Sequence, residues 1–267
     1  ADFYVWAEEH YSPKTFNKCL AGLKGFFDFL IEVEEVEMKN PFRKYVKKYV
    51  PPSEIDTITK DEFDSIIEAI DTYTPICKLG GKGENKNMYK PYLKDSFKLF
   101  LLSGGRREEV VDLKWNNIFV TESKIKFFRI VNLKVTRIKK KEEIIKYIPI
   151  NDDLFDFLKE LGYDEKRNTD EYILSPERFE KSKTMMDKLS KSFTHYRIGA
   201  SIEKKISLKD LRKTYISWVK VEMGENTGLI SSHSTYGVLE KFYLDPKILT
   251  AIETAALKVR VFGKNKP

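Results

Sequence analysis

The stretch Ser103-Gly104-Gly105-Arg106-Arg107-Glu108-Glu109 decides how the rest of the chain is read. Upstream, Phe97, Leu99, Phe100, Leu101 and Leu102 form a run that belongs in a core. Downstream, Val110, Val111, Leu113, Trp115 and Ile118 recur at helical spacing, which predicts a helix through that segment. A buried segment, a Gly-Gly break and a new helix hold Arg106 near the break and Glu109 one turn later. Alone, the stretch is a helix start with two arginines. It gains meaning from Lys209-Asp210-Leu211-Arg212 and Tyr243 further along.

The 267 residues are enough to bury a sizeable core, and 41% hydrophobic with 13% aromatic content argues for a folded chain over a disordered one. The net charge of +7 and a pI near 9.0 favour a polyanionic partner. Cys19 and Cys77 make neither a disulfide framework nor a metal pattern, and Cys19 falls in an apolar helical stripe. His10, His195 and His233 are scattered, so no metal site is expected. No apolar run reaches the length of a membrane span, and no signal peptide is visible. The chain begins at Ala1, consistent with a trimmed N-terminus, and a cytoplasmic location is expected.

Residues 1–11 carry Phe3, Tyr4, Val5, Trp6 and Tyr11, enough for a short packing helix. Ser12-Pro13 reads as an N-cap followed by proline at the first helical position, and Phe16, Leu20, Leu23, Phe27 and Leu30 make the stripe behind it. Lys14, Lys18 and Lys24 fall off that stripe, as a solvated face or a phosphate-contacting one. Asn40-Pro41-Phe42 closes the segment, and Pro51-Pro52 marks a linker. The boundary placed there divides a small helical domain, 1–50, from a larger one, 51–267. Thr59 and Glu62 form a capping-box pattern ahead of Phe63, Ile66, Ile67 and Ile70. Gly80-Gly81-Lys82-Gly83 lacks the Ser or Thr of a phosphate loop and reads as a surface loop.

After Trp115 the pattern turns to short β runs, Ile125 to Val131 and Glu143 to Ile150, a hairpin or small sheet with a basic tip. Helices are predicted around Leu154 to Leu161, Met185 to Phe193, Leu208 to Val219 and Val238 to Tyr243. The resulting fold class is mainly α with a small antiparallel β-sheet, α+β.

Phosphodiester exchange by a covalent route needs a nucleophile for phosphorus, cations for the non-bridging oxygens and an acid for the departing 5′-oxygen. Arginine suits the second task, because its planar fork matches phosphate and stays charged. Tyrosine suits the first, since an aryl phosphate ester keeps its energy for religation. Lysine suits the third when desolvation and neighbouring cations lower its pKa. No cofactor is called for.

Ser103 to Trp115 resembles the first arginine box of the tyrosine recombinases, the phage-integrase family. Leu208-Lys209-Asp210-Leu211-Arg212-Lys213-Thr214-Tyr215 resembles its second box, usually His-x-x-Arg; lysine in the histidine's place is similar to integrases of some archaeal viruses and plasmids. Val238 to Leu244 resembles the segment bearing the nucleophile, and the N-terminal helices with Asn40-Pro41-Phe42 look like a core DNA-binding domain.

That resemblance implies a site-specific recombinase or integrase that cleaves and rejoins DNA through a 3′-phosphotyrosyl bond without metal. Arg106 and Arg212 would bind the scissile phosphate, Lys209 would stand in for the histidine, and Tyr243, with Tyr236 its nearest rival, would attack. Glu109 would orient the pocket through Lys209. The general acid would be a hairpin lysine, Lys134, with Lys139, Lys140 or Lys141 as alternatives. His233 matches the His-or-Trp position, though Ser231-Ser232 replace the usual Leu-Gly before it. Lys14, Lys18, Lys24 and Arg107 are candidate DNA contacts. The implied partners are double-stranded DNA and three further copies in a homo-tetramer on paired sites, with a monomer when DNA-free. The apolar stripe at 246–258 would pack on a neighbouring protomer or in cis. Rival readings are a type IB topoisomerase-like enzyme and a catalytically decayed DNA-binding protein.

Overall fold

The computed structural model describes residues 2–51, 57–78, 83–121, 124–132, 136, 143, 145–223 and 260–261. The chain forms two compact units, Ala1–Glu54 and Ile55–Pro267. It is about half helical with two small antiparallel sheets, an α+β fold.

In the first unit, α1 (Asp2–His10) leads to α2 (Pro13–Glu32) through the Ser12 cap, whose hydroxyl accepts the Thr15 amide at 3.4 Å. Its fully buried apolar residues are few: Ala7, Phe16 and Leu20, flanked by Tyr4, Tyr11, Phe42 and Tyr45. The stripe on α2 therefore closes only at its start. Leu23, Phe27 and Leu30 stay half-buried, and Cys19 is likewise only half-buried. The cover here is a returning loop, not another helix. Asn17 holds that loop by donating to the Lys48 carbonyl and accepting the Lys48 amide, both at 2.8 Å.

The second unit opens with α3 (Lys60–Thr72), started by the Thr59–Glu62 capping box and burying Phe63, Ile66, Ala69 and Ile70. A pair of antiparallel strands, β1 (Ile76–Lys78) and β2 (Asn85–Asn87), follows; of the Gly80–Gly83 stretch between them, 80–82 lie outside the described residues. α4 (Leu93–Ser103) is the central helix, its Leu93, Phe97, Leu99, Phe100 and Leu101 all buried, each worth about 2 kcal/mol of transfer free energy.

α5 (Arg107–Val111) is shorter than the apolar periodicity predicts. Trp115–Asn117 is a single 3₁₀ turn and Ile118 already begins β3 (Ile118–Val120). The reason is tertiary. Arg178 donates to the Val111 carbonyl at 2.7 Å and to Asp112 Oδ1 at 2.6 Å, while the Trp115 amide donates to the Glu171 carbonyl. Those partners take up the backbone groups a longer helix would use.

β3, β4 (Lys126–Val131) and β5 (Ile145–Pro149) form an antiparallel sheet in that order, with Phe128 opposite Ile148 and Ile130 opposite Lys146. α6 (Asp152–Glu160), α7 (Tyr163–Lys166), α8 (Ser182–Gly199) and α9 (Asp210–Met223) complete the unit. α4 packs against α5, α6, α8 and α9, so its C-terminal end delivers the Gly-Gly turn into the middle of the fold. Among the described residues no helix is long and apolar enough to cross a membrane.

Candidate active site

Gly104 ends α4 in the left-handed region, at φ 55°, which favours glycine. A Cβ there would sit 2.1 Å from the Tyr215 ring on α9, and one on Gly105 would sit 2.5 Å from the Val110 side chain. The two glycines thus let the turn pass under α9 and start α5 within one residue. Arg106 emerges at that start as the helix cap.

Glu109 returns from the first turn of α5 to meet it. Its Oε2 accepts the Arg106 backbone N–H at 2.8 Å, and its Oε1 accepts from Arg106 Nη1 at 2.7 Å. Asn132, a buried residue at the end of β4, lies 3.5 Å from the same Nη1. Arg212, on α9, donates to the Gly104 carbonyl. Two arginines separated by 106 residues (212 − 106) therefore meet across one turn of chain.

The periodicities above do not single out the fourth member. Lys146 on β5 is 1% exposed, and its Nζ donates to Glu109 Oε2 at 2.8 Å. Lys146 and Arg212 also line the same small cavity, with Gly104 and Tyr215. A signal was present in the sequence: Lys146, Ile148 and Ile150 share strand parity, which puts the lysine on the apolar face. Glu109 thus engages Lys146 and Arg106; its expected partner, Lys209, is exposed.

Burial pushes the Lys146 ammonium down, opposed by the Glu109 carboxylate but reinforced by Arg212 and Arg106, to about 8. Burial alone would raise Glu109, yet the Lys146 charge and the bonds from Lys146 and Arg106 outweigh it and bring it to about 2. Burial and the neighbouring Arg106 charge lower Arg212, which remains a cation at any working pH. Of these four side chains three are cationic and one anionic, leaving a formal charge of +2 around the Gly-Gly turn. Such a cluster suits an anion with several oxygens.

Lys209 stands immediately before α9 on a turn locked by Asp210, whose Oδ2 accepts both the Ser207 amide at 2.8 Å and its hydroxyl at 2.6 Å. Arg107 is exposed and donates to Ser190 Oγ on α8 at 2.7 Å. In the first unit Lys14 and Lys18 are exposed, whereas Lys24 donates to the Tyr45 and Arg43 carbonyls at 2.8 and 3.3 Å. Lys134, Lys139, Lys140, Lys141, His233, Tyr236, Tyr243 and the 246–258 stripe lie outside the described residues. Among the described residues no group of three or more His, Cys, Asp or Glu side chains is placed to hold a metal ion.

The central helix of this unit thus turns through Gly-Gly into Arg106, and Arg212 from a late helix reaches the same turn. The chain belongs to the phage integrase family, whose model matches residues 56–226. Solved structures of similar fold include a lambda integrase(75-356) dimer bound to a COC′ core site, at 12% identity and TM-score 0.53, covering 99% of this chain and 79% of that one. A lambda integrase tetramer bound to a Holliday junction follows at 14% and 0.58, covering 90% of this chain and 62% of that one. Lambda integrase residues 75–356 bound to DNA gives 14% and 0.56, with 84% and 70% covered. This chain thus spans less than two thirds of the lambda chain in the tetramer. No curated protein sequence matches it. The chain is a tyrosine-type site-specific recombinase in class.

Proposed function

We propose that this protein cuts and rejoins duplex DNA at paired sites through a 3′-phosphotyrosyl intermediate, without metal. The convergence of Arg106 and Arg212 on one turn carries this reading. Two guanidiniums there can hold the non-bridging oxygens of a scissile phosphate and stabilise the charge that builds as phosphorus becomes five-coordinate. The Tyr243 oxygen attacks, the P–O5′ bond breaks, and Lys134, between β4 and β5 in the sequence, donates the proton the O5′ leaving group takes up. Lys209 and His233 complete the set of donors. Religation reverses the steps, a new 5′-hydroxyl displacing Tyr243.

Lys14 and Lys18 on the first unit, and Arg107 beside the pocket, contact backbone phosphates, so binding weakens steeply with salt. Lys24 contributes there through the loop it ties down. Residues 1–50 act as a core DNA-binding domain and 51–267 as the catalytic domain. The solved lambda integrases are a dimer on a core site and a tetramer on a Holliday junction, which supports a homo-tetramer on paired sites here. Lys-x-x-Arg in the second box supports kinship with archaeal virus and plasmid integrases. The working location is the cytoplasm, on the nucleoid.

The test is a nicked suicide duplex, built on the site the protein selects from a random pool and incubated with chelator. A covalent adduct is expected, and Tyr243→Phe abolishes it. Adduct that persists in that variant overturns the nucleophile, and no adduct with the unmutated protein overturns the enzyme.

A further inference from the structure

Lys146 has no part in the reaction set out above, yet it is a fully buried cation beside the phosphate-binding arginines. We infer that Lys146 is a positioning residue for Arg106, acting through Glu109 to keep that arginine's charge available to the scissile phosphate. The inference rests on the proposed strand-transfer reaction.

The geometry is a shared carboxylate. Glu109 Oε1 takes the Arg106 guanidinium at 2.7 Å, and Oε2 takes the Arg106 amide and the Lys146 ammonium, each at 2.8 Å. The carboxylate is 2% exposed, so protein donors, not water, set its orientation. With Lys146 present, one anion is divided between two cations and Arg106 is only half neutralised. Without it, Glu109 becomes a full counter-ion of Arg106, and the formal charge of the cluster falls from +2 to +1. Oε2 also loses one of its two donors, and the carboxylate is then held by Arg106 alone, free to turn with the guanidinium it should orient. β5 is a rigid place to mount this ammonium, since its neighbours Ile148 and Ile150 on the same face are buried in the core.

The strand also explains why a lysine serves here. A long unbranched stem lies along the apolar face while its head reaches the carboxylate on α5. The charged and titratable groups facing that head are Glu109 and Arg106 at the start of α5, and Arg212 and Tyr215 on α9.

The experiment measures adduct formation on the suicide duplex, duplex affinity and thermal unfolding for Lys146→Met, Lys146→Arg, Glu109→Gln and the double variant Lys146→Met/Glu109→Gln. Lys146→Met is expected to slow adduct formation by about tenfold or more, because misplacing a positioning group by a fraction of an ångström costs on that scale. Duplex affinity should change by less than about threefold, since most phosphate contacts lie elsewhere. Lys146→Arg, which keeps a cation on Glu109, should be less impaired than Lys146→Met and should hold its rate to higher pH than the unmutated protein. The Met and Gln changes should be non-additive. The double variant removes the carboxylate together with its lysine, so Arg106 is no longer neutralised and adduct formation should recover relative to Lys146→Met.

A folded Lys146→Met variant that forms adduct at the unmutated rate overturns the inference, as does a double variant no faster than Lys146→Met. So do additive effects, or equal losses in Lys146→Met and Lys146→Arg, which mark a packing role. In all these cases the unmutated protein still forms adduct, so the proposed function stands; only its failure to do so sinks that reading.

Discussion

The arginine pocket and the two-helix unit at the N-terminus hold their polar groups in opposite ways. In the pocket, Glu109 and Lys146 are almost wholly removed from water, and each charge survives because it has charged partners. In the first unit Ala7, Phe16 and Leu20 are the buried apolar residues among those described, and amide side chains and a half-buried lysine do the tying: Asn17 to Lys48, Asn40 to the Lys24 carbonyl and the Phe42 amide, Lys24 to two loop carbonyls. The large unit can set an electrostatic field because its apolar shell excludes water. The small one uses side chain–backbone hydrogen bonds to hold a loop its core is too small to hold.

That contrast predicts large effects in the pocket and small ones in the two-helix unit. The largest is Gly104→Ala. It asks a non-glycine residue to take φ 55° and drives a methyl group into the Tyr215 ring, so a loss of about 4 kcal/mol is expected by denaturant unfolding. Unmutated stability in that variant would mean that α4 and α9 do not meet over this turn.

Next comes acid. Glu109 is held down from 4.5 to about 2, so its contribution, about 3 kcal/mol, is complete above pH 4.5 and is lost as pH falls towards 2. Glu109→Gln should flatten the stability–pH curve in that window. A curve of the same steepness in both proteins would place the acid-labile group elsewhere.

The smallest effect is in the first unit. Asn17→Ala removes two neutral hydrogen bonds at a half-buried site, and about 1 kcal/mol of local stability should go. Amide exchange at Lys48 would report it as roughly a fivefold acceleration. An effect as large as that of Gly104→Ala would erase the distinction between the two regions.

Several features were legible from residue order. The caps at Ser12 and Thr59 form as their side chains dictate, since an N-cap is a local bond between residues three apart. Arg106 and Arg212 could be paired from their type and their place in two boxes, because phosphate chemistry asks for such residues wherever the chain puts them. Other features were not. The helix predicted through Trp115 and Ile118 stops at Val111, because Arg178, from 67 residues later (178 − 111), takes the Val111 carbonyl. No periodicity within the segment contains that bond.

The sequence by itself determined which side chains could do phosphoryl chemistry and where helices begin, because both follow from short-range stereochemistry and functional-group identity. Only the tertiary structure decided what those groups meet. Glu109 meets Lys146 because β5 and α5 face each other across the core, and Arg212 meets the Gly104 carbonyl because α9 packs on α4. Charges in a dry interior are governed by their nearest neighbours in space, and those neighbours come from distant parts of the chain.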